Sequence, residues 1–161
     1  MGRNDPKTKK QIQKEAKELL REIDVEEICE GVYGALDGIE VEDLWARSGP
    51  SRHGYSGPED MAAEMIEEEI EPFIAEILKY LEIGMTNEAK VYCMGILKGI
   101  YRYEHESRSE FRDWATDIPA ECFGHLLLEW KKKVGNDNSL NEIREFVEKE
   151  CSMWARRASK I

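Results

Sequence analysis

From Met61 to Leu81 apolar side chains return every three to four residues, through Met61, Met65, Ile66, Ile70, Phe73, Ile74, Ile77, Leu78 and Leu81. Only an α-helix gathers such positions on one face, and a stripe that long needs other helices to cover it. The same spacing recurs in Ile12, Ala16, Leu19, Leu20 and Ile23, and again in Val25, Ile28, Cys29, Val32, Tyr33 and Leu36. It returns in Ala89, Cys93, Ile96, Ile100 and Tyr103, in Cys122, Phe123, Leu126, Leu127, Trp130 and Val134, and in Ile143, Phe146, Val147 and Trp154. No stretch sustains the period-two alternation of a half-buried strand. The pattern predicts an all-α chain of six to seven helices in antiparallel hairpins. Two architectures satisfy it, a compact bundle or a short tetratricopeptide- or HEAT-like stack. One domain spanning residues 1–161 accounts for the length, with residues 1–10 open to disorder.

The breaks between stripes carry turn chemistry. Asp24, with Glu27 three residues on, predicts an N-cap for the second helix, which ends near Gly38. A short turn follows at Val41–Trp45, and residues 46–57 (ARSGPSRHGYSG) are too rich in glycine and serine for a helix or a central strand and read as a loop. Ser56 and Glu59 have capping-box spacing, with Pro58 in the first turn of the long helix. The stripe crosses Pro72 without losing phase, which favours one kinked helix over two. Gly84 suits a left-handed helix end, Thr86 or Asn87 the next cap, and Gly95 with Gly99 a close helix approach. Ser109–Trp114 reads as a short helix, Asp117 and Pro119 open the next, and Gly135 closes it. Ser139 with Glu142 caps the last helix, whose end carries Arg156, Arg157 and Lys160 against the helix dipole.

The junction YLEIGMTNEAKVYCMGIL resembles the helix–Gly–helix turns of tetratricopeptide-like repeats. A longer stretch, GYSGPEDMAAEMIEEEIEPFIAEILKYLEIGMTNEAKVYCMGILKGIYRYE, resembles the helical region that accompanies SWIM-type zinc fingers in bacterial and archaeal proteins. The similarity spans roughly residues 54–115 and rests on a leading Gly-Tyr, an acidic-apolar helix, a glycine turn and a Gly-spaced helix. The finger's own Cys-x-Cys and Cys-x-His ligands are missing. The resemblance therefore implies a helical-repeat fold and carries over neither metal nor DNA function.

Charge narrows the partners. The chain has a net charge of −11, unevenly spread. Residues 1–21 hold seven basic and three acidic side chains, residues 22–100 five and 19, and residues 101–161 11 and 12. An acidic middle repels phosphate backbones and disfavours nucleic acid, while Lys7, Lys9, Lys10, Lys14 and Lys17 read as the solvated face of the first helix. No apolar run approaches the ~18–20 residues of a membrane span, and the start lacks a signal peptide's apolar stretch, so a cytoplasmic location without membrane contact is expected. Cys29, Cys93, Cys122 and Cys151 each fall within an apolar stripe, and only Cys122 and His125 have ligand-like spacing. Buried free thiols, with no metal and no cofactor, are expected. No paired Glu-x-x-His, phosphate-binding or dinucleotide-binding glycine motif, EF-hand loop or nucleophile elbow occurs, and no catalytic residue is assigned.

Two segments keep functional interest. Arg47, Arg52, His53 and Tyr55 share a stretch free of acidic residues, suited to a phosphate or carboxylate, or else pinned by neighbouring acidic helices. Tyr101, Tyr103, His105, Arg108, Phe111, Arg112 and Trp114 are residue types enriched at protein interfaces, and equally what a plug between helices requires. The expected function is a non-enzymatic module that docks a protein or peptide. The alternative is a small-ligand or anion-binding protein, or an enzyme, using both segments. Homo-oligomerisation is compatible with either.

Overall fold

The computed structural model describes residues 24–51, 54–135 and 138–161. The stripe Ile12–Ile23, the lysine-rich start, Arg52 and His53 lie outside the described residues. Asp24 caps α1 (Val25–Asp37), its carboxylate accepting the Glu27 N–H at 2.9 Å as the spacing requires. The expected short turn is a two-turn helix, α2 (Val41–Arg47). Within the expected loop, β1 (Gly49–Ser51) and β2 (Gly54–Ser56) pair as a small antiparallel hairpin, with Pro50 opposite Tyr55. Strands of three residues are too short to show alternation, and Gly49 and Gly54 begin the two strands with φ of 107° and 112°, a backbone that glycine adopts readily. Then come α3 (Pro58–Glu82), α4 (Thr86–Glu106), a 3-10 turn (Glu110–Trp114), α5 (Ile118–Val134), α6 (Asn138–Glu150), a second 3-10 turn (Ser152–Trp154) and α7 (Ala155–Ser159). The fold is all-α, and α3 runs uninterrupted through Pro72.

Three caps differ from expectation. Gly57, not Ser56, precedes α3, and Met85, not Thr86 or Asn87, precedes α4; neither makes a side-chain capping bond. Met85 is fully buried and its N–H bonds the Tyr80 carbonyl at 2.8 Å, so packing of the turn sets the start of α4. Ser139 lies inside the first turn of α6, where its buried hydroxyl accepts the Trp130 indole N–H at 3.2 Å. The last stripe, expected to run through Trp154 on one helix, breaks at Cys151. The break carries the Trp154 ring to 4.9 Å from Phe123 and 5.2 Å from Tyr101, and it leaves Arg156 and Arg157 on α7.

The core forms around α4, which packs against α1, α3, α5 and α6. Its Ala89, Cys93, Ile96, Leu97, Ile100 and Tyr103 are all buried. In a helical stack each unit touches only its sequence neighbours. Contact of α4 with α1 and α6 as well makes the molecule a bundle with a central helix. A Cβ on Gly95 would lie 2.5 Å from Ile28 Cβ, and one on Gly99 would lie 2.6 Å from Val32 Cβ. Those two glycines are what allow α1 to lie against α4. The pairing of 28 with 95 and 32 with 99 also shows that α1 runs parallel to α4, so these two helices are not a hairpin.

Candidate docking groove

Among the described residues, the side chains singled out from the sequence are spread over the end of α2, the C-terminal half of α4 and the stretch leading through the first 3-10 turn. Arg47, at the end of α2, pairs with Glu68 of α3 at 2.8 Å and is pinned there. Tyr103 is fully buried, with a hydroxyl that lacks a hydrogen-bond partner, and belongs to the core. Arg112 turns back to donate to the Glu104 and Ser107 carbonyls, and also stands 4.0 Å from the Glu104 carboxylate. It closes the C-terminal end of α4. Trp114 packs edge-on against Trp45 of α2 at 4.8 Å. Tyr101 stacks with His105 at 4.1 Å beside Trp154, and its hydroxyl accepts the Met153 N–H at 3.4 Å. Arg108 is exposed.

A different feature emerges from the packing. Helices α3 and α5 both lean on α4 yet touch each other little, and between them lies a groove of about 660 Å³. Its floor is the buried Ile70 and Ile77 of α3, Ile100 of α4, and Leu126 and Trp130 of α5. Ile74, Leu78 and Leu81 on one wall, and Ile118 and Cys122 on the other, are half-buried. The rim is mainly acidic, with Glu67 and Glu71 on α3, and Glu121 and Glu129 on α5. His125 and Lys133 of α5 complete it.

The rim is polarised along its length. Since α3 and α5 each run antiparallel to α4, they run parallel to one another. Glu67, Glu71 and Glu121 therefore stand toward one end and Lys133 toward the other. Among the described residues Glu67, Glu71 and Glu121 make no ion pair. Glu129 lies 3.9 Å from both His125 and Lys132. The negative field at the acidic end registers on Cys122: burial first, then Glu67 and Glu121, push its thiol up to about 11. At neutral pH that thiol is protonated. Burial likewise raises the thiols of Cys29, Cys93 and Cys151. Among the described residues no three His, Cys, Asp or Glu side chains are grouped to hold a metal ion.

No motif in the sequence sets the groove's rim or floor apart. One signal was present. The apolar stripe of α3 is wider than a single neighbour can cover, and Ile74, Leu78 and Leu81 are the surplus that remains half-exposed. Among the described residues no helix is long and apolar enough to cross a membrane. No family model matches the chain, and no curated protein or solved structure is significantly similar to it.

Proposed function

We propose that the protein is a non-enzymatic docking module that takes an amphipathic helix of a partner protein into the groove between α3 and α5. The observation that carries this reading is the apolar trough itself, floored by isoleucine, leucine and tryptophan side chains and opening between two helices. From Glu67 to Leu81 the α3 wall runs about 21 Å, about four turns, enough for the i, i+3/i+4, i+7 anchors of a bound helix. Raised cysteine pKa values support binding over nucleophilic catalysis. Two of the arginines named from sequence as anion ligands have other partners, Arg47 pairing with Glu68 and Arg112 donating to main-chain carbonyls.

The test uses a helical peptide of about four turns with leucine anchors and an uncharged glutamine–serine face. Docking is read as slower maleimide labelling of Cys122 and as amide shifts along α3 and α5. Ile74→Asp, at a half-exposed wall position, is expected to abolish both responses while circular dichroism stays helical. Absence of protection and of shifts in the unaltered protein would overturn the proposal.

A further inference from the structure

Resting on that docking role, we infer that the groove selects a helix carrying a cluster of basic residues at one end, seated against Glu67, Glu71 and Glu121. The apolar floor offers no direction to a ligand, because leucine and isoleucine surfaces accept a helix in either sense. Direction must come from the rim. Its three carboxylates without an ion pair among the described residues lie toward one end, on two different helices, and the opposite end carries Lys133. Glu129, between them, already has His125 and Lys132 nearby. A bound lysine or arginine at the acidic end gains two or three carboxylate neighbours beside a low-dielectric floor, whereas a glutamate there meets like charge. Such an arrangement contributes selectivity and salt dependence more than raw affinity. Burial is the main cause of the raised Cys122 thiol, and Glu67 and Glu121, one from each helix, add to it from the same end of the groove.

Three helical peptides with identical leucine anchors separate this inference from the docking reading: one with three lysines at one end, one uncharged, and one with three glutamates there. In about 20 mM salt the lysine peptide is expected to bind the unaltered protein about tenfold more tightly than the uncharged one, with the glutamate peptide weakest. The gap should shrink to about twofold in about 300 mM salt. Combining Glu67→Gln, Glu71→Gln and Glu121→Gln should remove the lysine preference. Combining Glu30→Gln, Glu145→Gln and Glu148→Gln, exposed positions on α1 and α6, should leave the preference intact.

If all three peptides protect Cys122 equally, docking stands and the selection fails. If the preference survives loss of the three rim carboxylates, it reflects the overall charge, and the selection is overturned. If no peptide protects Cys122, docking fails and the inference with it. Two further outcomes would also overturn it. Protection of Cys122 that grows with protein concentration alone would give the groove to a second copy. Protection lost on deleting residues 1–21 would give it to the chain's own start.

Discussion

At Gly95 and Gly99 the missing Cβ sets how closely α1 can lie on α4. The clashes that alanine would create are with Ile28 and Val32 side chains and, at 2.9 Å, with the Cys29 carbonyl, none of which is a freely moving tip. Overpacking of this kind costs about 1–3 kcal/mol, against which alanine's better helix propensity offsets at most about 1. Gly95→Ala is therefore expected to lower the Tm by roughly 3–10 °C, a loss read directly in a thermal melt. Gly34 and Gly124 are also helical, but nothing lies within 4 Å of a Cβ built there. Gly34→Ala and Gly124→Ala should each stabilise, by about 0.5–1 kcal/mol. If all three variants behave alike, close packing of α1 is not what Gly95 provides. The cysteines separate in a similar way. Cys29, Cys93 and Cys151 are fully buried, and Cys122 alone is half-buried, on the groove wall. One maleimide per native chain is expected, at a rate rising about tenfold per pH unit toward the raised pKa of about 11. A second label before unfolding would contradict the packing of the other three.

At the scale of the element, capping shows what short-range chemistry can and cannot determine. The Asp24–Glu27 spacing was legible because that end of α1 is exposed and the carboxylate has no competing partner. Ser139 carries an equally good signal, yet its hydroxyl accepts the Trp130 indole N–H in the interior, where an indole N–H without an acceptor is costly. Ser139→Ala should thus destabilise by about 1–2 kcal/mol in a urea titration, whereas a merely exposed cap would cost less. The C-terminal end of α4 depends on Arg112 in the same non-local manner. Burial holds the Glu104 carboxyl above its ordinary 4.5, and Arg112 pulls it back only in part. The folded chain then binds that proton more tightly than the unfolded chain, so this group's contribution to stability falls as pH rises from 4.5 through the folded value. Glu104→Gln is expected to gain on the unaltered protein at neutral pH and to match it below pH 4.5, as urea midpoints at the two pH values would show. A constant difference at both would assign the effect to packing.

Over the whole molecule, the longer described helices were legible and their arrangement was not. Periodicity marks which face of α4 is apolar, but five of its residues, from Ala89 to Tyr103, fit a hairpin as well as a hub. The pairings of Gly95 with Ile28 and of Gly99 with Val32 reveal a parallel neighbour drawn from the far side of the α2–α3 segment. The groove was hidden for a related reason, being a gap between α3 and α5 whose width depends on side chains of a third helix. Charge is the remaining global property, and here two effects oppose. Lys98 ties α4 to Glu26 of α1 and, at 3.3 Å, to Glu150 of α6, while Lys90 ties it to Glu142. Salt weakens such partly exposed pairs, each worth about 0–1 kcal/mol. Salt also screens the mutual repulsion of a chain at −11, whose residues 22–100 hold 19 acidic groups against five basic ones. Among the described residues, the carboxylates along α3 and the groove rim that have no ion pair outnumber the pairs that bridge helices, so repulsion is expected to win. The Tm should rise by a few degrees between about 10 and about 200 mM sodium chloride. Neutralising Glu67, Glu71 and Glu121 together should shrink that rise, since it removes the most concentrated repulsion and leaves every interhelical pair in place. A Tm that falls with salt would make the lysine bridges of α4, not the crowded carboxylates, the dominant electrostatic influence on this fold.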